Sequence, residues 1–158
     1  MNLSNGWFQN FNFEGSDLKE VDFSNSDLTD ANLIGANLRG ANLTNANLSY
    51  TYLHGAYLIG ANLRGANLTN ANLTSANLRY AYLTGANLHG AYLIGANLTS
   101  ANLRYANLSY TCLTGAYLTG AYLRGADLFR TKLTRAKYSE ATVFPINFDP
   151  IKARMIKV

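Results

Sequence analysis

The 158-residue chain has one cysteine, Cys112, one tryptophan, Trp7, and two prolines, Pro145 and Pro150. A single thiol cannot close an intramolecular disulfide, so nothing in the sequence asks for an oxidising compartment. Only 14% of residues are charged, well below the usual quarter. No acid at all occurs between residues 31 and 125, where the only charges are Arg39, Arg64, Arg79, Arg104 and Arg124. No apolar run approaches the roughly 18 residues a membrane span needs, and the first 30 residues lack the basic-then-apolar order of a signal peptide. The expectation is a soluble, cytoplasmic chain without a membrane partner.

What charge there is lies unevenly. Residues 1–30 hold six acids against one lysine, the central stretch carries only its five arginines, and residues 126–158 hold seven lysines and arginines against three acids. The chain is acidic at its head and basic along the rest.

The dominant feature is a period of five. From Leu3 a large apolar residue recurs at every fifth position: Phe8, Phe13, Leu18, Phe23, then 22 leucines from Leu28 to Leu133, then Tyr138 and Val143. The series includes Leu33, Leu38, Leu43, Leu63, Leu83, Leu103 and Leu123. Two residues before each, from 31 to 141, stands an alanine such as Ala36 or Ala61, replaced only by Thr51, Thr111 and Thr131. An α-helix advances about 100° per residue, so a five-residue step would smear the leucines round every face. A continuous strand also fails, because an odd step puts successive leucines on opposite faces. Both problems vanish if the chain turns a corner once per pentapeptide, with Ala and Leu pointing inward as the core.

Twelve of the 13 glycines stand two residues after the large apolar position, alternating with asparagines such as Asn45 and Asn70. Both residue types tolerate the positive φ that a type II turn requires at its third position. Where Tyr50, Ser75, Tyr80, Tyr105, Tyr110, Arg130 or Arg135 occupies that place, the expectation is a different turn. Four sides of five residues make a 20-residue square coil around a leucine-filled interior. Coils about 4.8 Å apart pair as in a parallel sheet, which gives about seven coils and a rod of roughly 30 Å.

The string ANLRGANLTNANL resembles the A(D/N)LXX motif of pentapeptide-repeat proteins, over about residues 11 to 145. The resemblance implies an all-β fold, a right-handed quadrilateral parallel β-helix. The tail ATVFPINFDP resembles the ends of cyanobacterial members.

The expected division is a β-helix over 1–145, with 1–15 as an irregular capping coil, followed by a capping α-helix over 146–158. Asp149 before Pro150 reads as a helix N-cap with proline at the first helical position, which would place Ile151, Met155 and Ile156 on one face. These three and Trp7 are the candidate partner contacts, for a protein or a homodimer meeting through a chain end.

Little in the sequence carries chemistry. His54 and His89 each follow a leucine, 35 residues apart, which is not a multiple of 20, so they face different sides. Cys112 takes an outer-wall position with no basic neighbour in the sequence to activate it. The glycines recur because corners need them, so they form no phosphate loop. No catalytic, metal or cofactor residue is assigned, and an enzyme, a cofactor and a small-molecule substrate are not expected. The five central arginines make too sparse a track for nucleic acid. Tyrosines form partial ladders, with Tyr52, Tyr92 and Cys112 on one wall, Tyr57 and Tyr117 on another, and Tyr82 and Tyr122 on a third.

Three functional readings stand at this point. The first is a non-enzymatic structural or protein-interaction scaffold. The second, which the resemblance brings, is a DNA-mimicking topoisomerase (gyrase) inhibitor, disfavoured by the acid-free centre. The third is an engineered or recently expanded repeat with no evolved partner. One feature bears on them. The decapeptide ANLRGANLTN occurs at 36–45 and again at 61–70, 25 residues on. Such a copy preserves every inward residue but rotates the outer surface by one wall, so it conserves the core and not a binding stripe.

Overall fold

A computed structural model describes residues 1–158. The chain winds as a parallel β-helix in which each residue of the Asn position bridges the one 20 further on. Four columns result: Asn2, Asp22, Asn42 and onward (β-wall one); Trp7, Asp27, Asn47 and onward (wall two); Asn12, Asn32, Tyr52 and onward (wall three); Asp17, Asn37, Tyr57 and onward (wall four). The coil is right-handed, the hand that parallel crossovers adopt.

One pentapeptide shows how backbone groups are satisfied. Leu53 N–H donates to Asn72 O at 2.7 Å, Gly55 N–H to Thr74 O at 3.0 Å, and Asn72 N–H to Thr51 O at 2.9 Å, all between coils. The corner is closed locally by Ala56 N–H donating to Leu53 O at 3.0 Å. Each wall therefore spends its main-chain donors and acceptors on the coils above and below, which leaves the side chains to decide what faces in and out.

Inside, Leu28, Leu33, Leu38, Leu43, Leu63, Leu83, Leu103, Leu123, Ala36 and Ala61 are all buried, as part of one continuous column of leucine and alanine. At the head, phenylalanine replaces leucine: Phe8, Phe13 and Phe23 meet edge to face with ring centroids 5.3 to 5.8 Å apart. Gly6 stands in the alanine slot there because the Phe8 ring lies against it, where a Cβ would collide.

Four expectations are corrected. First, Tyr50, Ser75, Tyr80, Tyr105, Tyr110, Arg130 and Arg135 make the same corner as glycine, with φ between 54° and 61°. Their neighbouring hydrogen bonds hold them there: Tyr80 N–H donates to Thr99 O and Ala81 N–H to Leu78 O, both at 3.1 Å.

Second, residues 1–15 are no distorted lid but a regular coil, bridged at Asn2, Trp7 and Asn12 and cornered at Asn5, Asn10 and Gly15. Third, Val143 does not continue the inward series. Tyr122 bridges Val143, an offset of 21, so one extra residue enters after Tyr138. Thr142 drops into the alanine slot, and its hydroxyl donates to Leu118 O at 2.9 Å, as those of Thr111 and Thr131 donate to Leu88 O and Leu108 O at 2.8 Å.

Fourth, 146–158 holds no α-helix. Asp149 does cap a turn, its Oδ1 accepting from the N–H groups of Ile151 at 2.9 Å and Lys152 at 3.1 Å. That turn ends at once, because Arg154 takes φ 57°. Met155 N–H returns to Pro150 O and Arg154 N–H to Ile151 O, at 3.0 and 2.9 Å, the paired bonds of a Schellman stop. The chain then runs as strand β2 (Ile156–Lys157), parallel to β1 (Lys137–Tyr138).

Candidate functional site

The walls come first, since they are most of the surface. On wall two Asn67 Nδ2 donates to Asn47 Oδ1, and Asn107 Nδ2 to Asn87 Oδ1, both at 3.1 Å. Each asparagine Oδ1 also takes the N–H two residues on, as Asn67 does from Thr69 at 3.2 Å. The polar groups of this wall are spent on one another. Three of the five central arginines lie back on tyrosines: Arg39 over the Tyr57 ring at 5.2 Å, Arg79 over Tyr80 at 5.3 Å and Arg104 over Tyr105 at 5.7 Å. The two copies of the decapeptide put Arg39 and Arg64 after different walls, since Asn37 and Asn62 belong to different columns.

The tyrosine ladders are interrupted. Asn72 separates Tyr52 from Tyr92, and Asn102 separates Tyr82 from Tyr122. His89 Nδ1 lies 2.9 Å from Ser109 Oγ, and half-buried Cys112 has its Sγ 3.5 Å from Thr114 Oγ1. No three His, Cys, Asp or Glu side chains converge on a point. The one concavity, about 400 Å³, is an open cleft lined by Ile94, Gly95, Thr114, Gly115, Arg135, Lys137 and Ile156, with no acid to work against its two cations.

The ends differ from the walls. At the head, the main-chain groups that would meet a preceding coil have no protein partner, among them the C=O of Trp7, Gln9 and Asn12 and the N–H of Trp7 and Asn12. Trp7 is 78% exposed and Phe11 53%. Around them stand Glu14, Asp17 and Glu20, with Asp22, Asp27 and Asp30 one coil further in. The acids begin the asparagine ladders: Asp17 Oδ1 accepts from Asn37 Nδ2 at 2.8 Å and Asp22 Oδ1 from Asn42 Nδ2 at 3.0 Å. The Ser24 N–H and hydroxyl, with that Asn42 amide, hold the Asp22 carboxyl below its ordinary value. At Asp27 desolvation opposes ionisation, yet the Thr29 hydroxyl and N–H and the Gln9 amide outweigh it and also lower the pKa.

At the tail, Phe144, Phe148, Ala153 and Met155 fold onto the last core residues. Met155 is thus turned inward, while Ile151 and Ile156 are exposed, Ile151 to 78%. The three do not share a face. Sequence reasoning placed them on a helix because the cap residues were there; the left-handed Arg154 that stops it carries no residue signal. Lys157 Nζ donates to Glu140 Oε1 at 2.9 Å, which lowers the Glu140 pKa and raises that of Lys157. Walls one and four are extended over the end by Val143 and Ile156. Walls two and three are not, and the N–H groups of Leu128, Arg130 and Leu133 and the C=O groups of Ala126 and Thr131 have no backbone partner.

These features define a parallel β-helix of five-residue sides with a closed core. The chain belongs to the pentapeptide-repeat family: the pattern described as pentapeptide repeats matches it in 8 copies, over residues 2–33, 26–65, 51–90, 81–120 and 113–141. Among solved structures it is similar to HetL, a pentapeptide-repeat protein involved in heterocyst differentiation regulation from the cyanobacterium Nostoc sp. strain PCC 7120. The two are 30% identical with a TM-score of 0.76, over 98% of this chain and 71% of HetL. The pentapeptide-repeat protein alr5209, also from Nostoc PCC 7120, is 41% identical with a TM-score of 0.64, over 65% of this chain and 84% of its own. A trypsin-treated form of QnrB1, a plasmid-mediated fluoroquinolone resistance protein, shares the fold with a TM-score of 0.67 at 20% identity, over 99% of this chain and 82% of QnrB1. No curated protein sequence matches closely enough to add a further relative. No helix of the molecule is long and apolar enough to cross a membrane.

Proposed function

We propose that the protein is a non-enzymatic interaction rod, working in the cytoplasm, whose partner contacts lie at its ends. One observation carries this. Trp7 and Phe11 stand exposed among the acids of the head, whereas the walls spend their main-chain and asparagine groups on neighbouring coils. Exposed aromatic side chains are the residues that protein interfaces favour. The likeness to HetL, a protein involved in regulation, supports a role exercised through another macromolecule. A DNA mimic is opposed by the charge: residues 31–125 carry five arginines and no acid, the opposite sign from a duplex.

The test compares capture from the source cell by three immobilised forms. Trp7→Glu with Phe11→Glu changes the head, and Arg39→Gln with Arg64→Gln and Arg104→Gln changes the walls. Capture lost with the first and kept with the second is the expected result. Capture lost only with the wall variant would overturn the assignment to the ends.

A further inference from the structure

We infer that the cleft at the corner between walls three and four holds a small organic phosphate, with its dianionic head between Arg135 and Lys137 and its apolar body against Ile94 and Ile156. This site goes beyond the partner contacts at the ends and does not depend on them.

Its shape comes from the repeat. Gly95, Gly115 and Arg135 follow one another on a single corner: Gly95 N–H donates to Thr114 O at 3.0 Å, Gly115 N–H to Thr134 O at 3.1 Å and Arg135 N–H to Arg154 O at 2.9 Å. The two glycines leave the floor without side chains, and beyond its chain neighbours no atom lies within 4 Å of where a Cβ would stand on Gly115. Ile94 and Thr114 line the wall-three side, and Lys137 with its β2 partner Ile156 lines the wall-four side. Gly35 and Gly55 follow one another in the same column and are as bare, yet no cleft forms there. What the later corner adds is the side chains of Arg135, Lys137 and Ile156.

Charge selects the ligand's head. The ion pairs of the molecule join Lys19 to Glu20, Lys152 to Asp149 and Lys157 to Glu140, so Arg135 and Lys137 have no carboxylate of their own. Lys137 is nevertheless held in place: its Nζ lies 4.4 Å from the centroid of the Tyr117 ring and donates to the Tyr117 hydroxyl oxygen at 3.3 Å. Those contacts position the ammonium without neutralising it. Two cations lining one cleft repel each other. A phosphate dianion between them removes the repulsion and accepts hydrogen bonds from the guanidinium fork and the ammonium together. Thr114 Oγ1 has only Cys112 Sγ as a hydrogen-bonding neighbour, at 3.5 Å, and can donate to a further phosphate oxygen. The N–H groups of Gly95 and Gly115 are spent between coils, so recognition falls to side chains.

The ligand's body is set by the rest of the lining. The cleft, about 400 Å³, has the volume of a small-ligand site, and exposed Ile94 and Ile156 offer apolar contact. No carboxylate or histidine lines the cleft to act as a base, so the ester is bound and not cleaved.

The test titrates phenyl phosphate and inorganic phosphate into isotope-labelled protein at low salt, with the amide and arginine N–H shifts followed by NMR. Saturable shifts are expected at Gly95, Thr114, Gly115 and Arg135, with phenyl phosphate binding at least about tenfold tighter than inorganic phosphate. Arg135→Gly removes one cation and restores the residue that the two preceding coils carry at this corner, so it keeps the fold. That variant and Lys137→Gln are each expected to weaken phenyl phosphate at least about tenfold. Gly115→Asn introduces a residue that other corners accept with φ between 55° and 59°; it fills the floor and is expected to erase the preference for the phenyl ester. The absence of saturable shifts, shifts of equal size at Arg64 and Arg124, or unchanged binding by Arg135→Gly or Lys137→Gln would each overturn the site. Tighter binding of a phosphotyrosine peptide than of phenyl phosphate would place the phosphate on a protein and overturn the assignment to a small ligand.

Discussion

Nothing lies within 4 Å of where a Cβ would stand on Gly55, and its φ is 63°. Gly55→Ala therefore isolates the backbone cost of the corner, expected at about 1 kcal/mol in denaturant unfolding. A cost near zero would mean that the corner carries no strain. The tyrosine, serine and arginine corners, Ser100 among them, pay a penalty of that order and keep the geometry, because a coil of fixed register on each side leaves them no alternative. That is why composition alone misplaced them: the rule for positive φ is local, and the constraint is not.

Titration belongs to this scale too. Asp22 and Asp27 have folded pKa values below 3.8, so the unfolded chain takes up their protons first as pH falls. Their stabilisation is present above the ordinary value and lost as pH drops through the lower folded ones. The thermal midpoint is expected to fall as pH drops below the ordinary carboxylate range, and Asp27→Asn to reduce the fall.

Among the elements, the coils were legible and the tail was not. A five-residue period excludes helix and plain strand by arithmetic, and the inward Ala and Leu follow. The tail is decided by three things without periodic signal: the extra residue that moves Thr142 into the alanine slot, the left-handed Arg154, and the pairing of Ile156–Lys157 with Lys137–Tyr138. Asp149 caps a turn and not the helix expected of it, because Arg154 ends that turn. Asp149→Ala is expected to cost about 1 kcal/mol locally, seen as faster amide exchange at Ile156 and Val158, which donate to Ala136 O and Tyr138 O. Unchanged exchange there would show that the turn does not hold β2 in place.

For the whole molecule, the same periodicity that makes the fold easy to read makes function hard to read. A repeated block carries its arginine or tyrosine to a new wall each time the shift is not a multiple of 20, as Arg39 and Arg64 show. Trp7 is legible as an end residue, but its exposure beside Phe11 is visible only in the structure. The account assigns stability to the interior and contact to the ends.

Amide exchange of the partner-bound molecule, compared with the free one, tests that division most directly. Protection is expected over residues 2–14 and 126–133 and at the tail, with the central walls unchanged. New protection running along one wall, at Arg39 and Arg79 or at Arg64, Arg104 and Arg124, would contradict it.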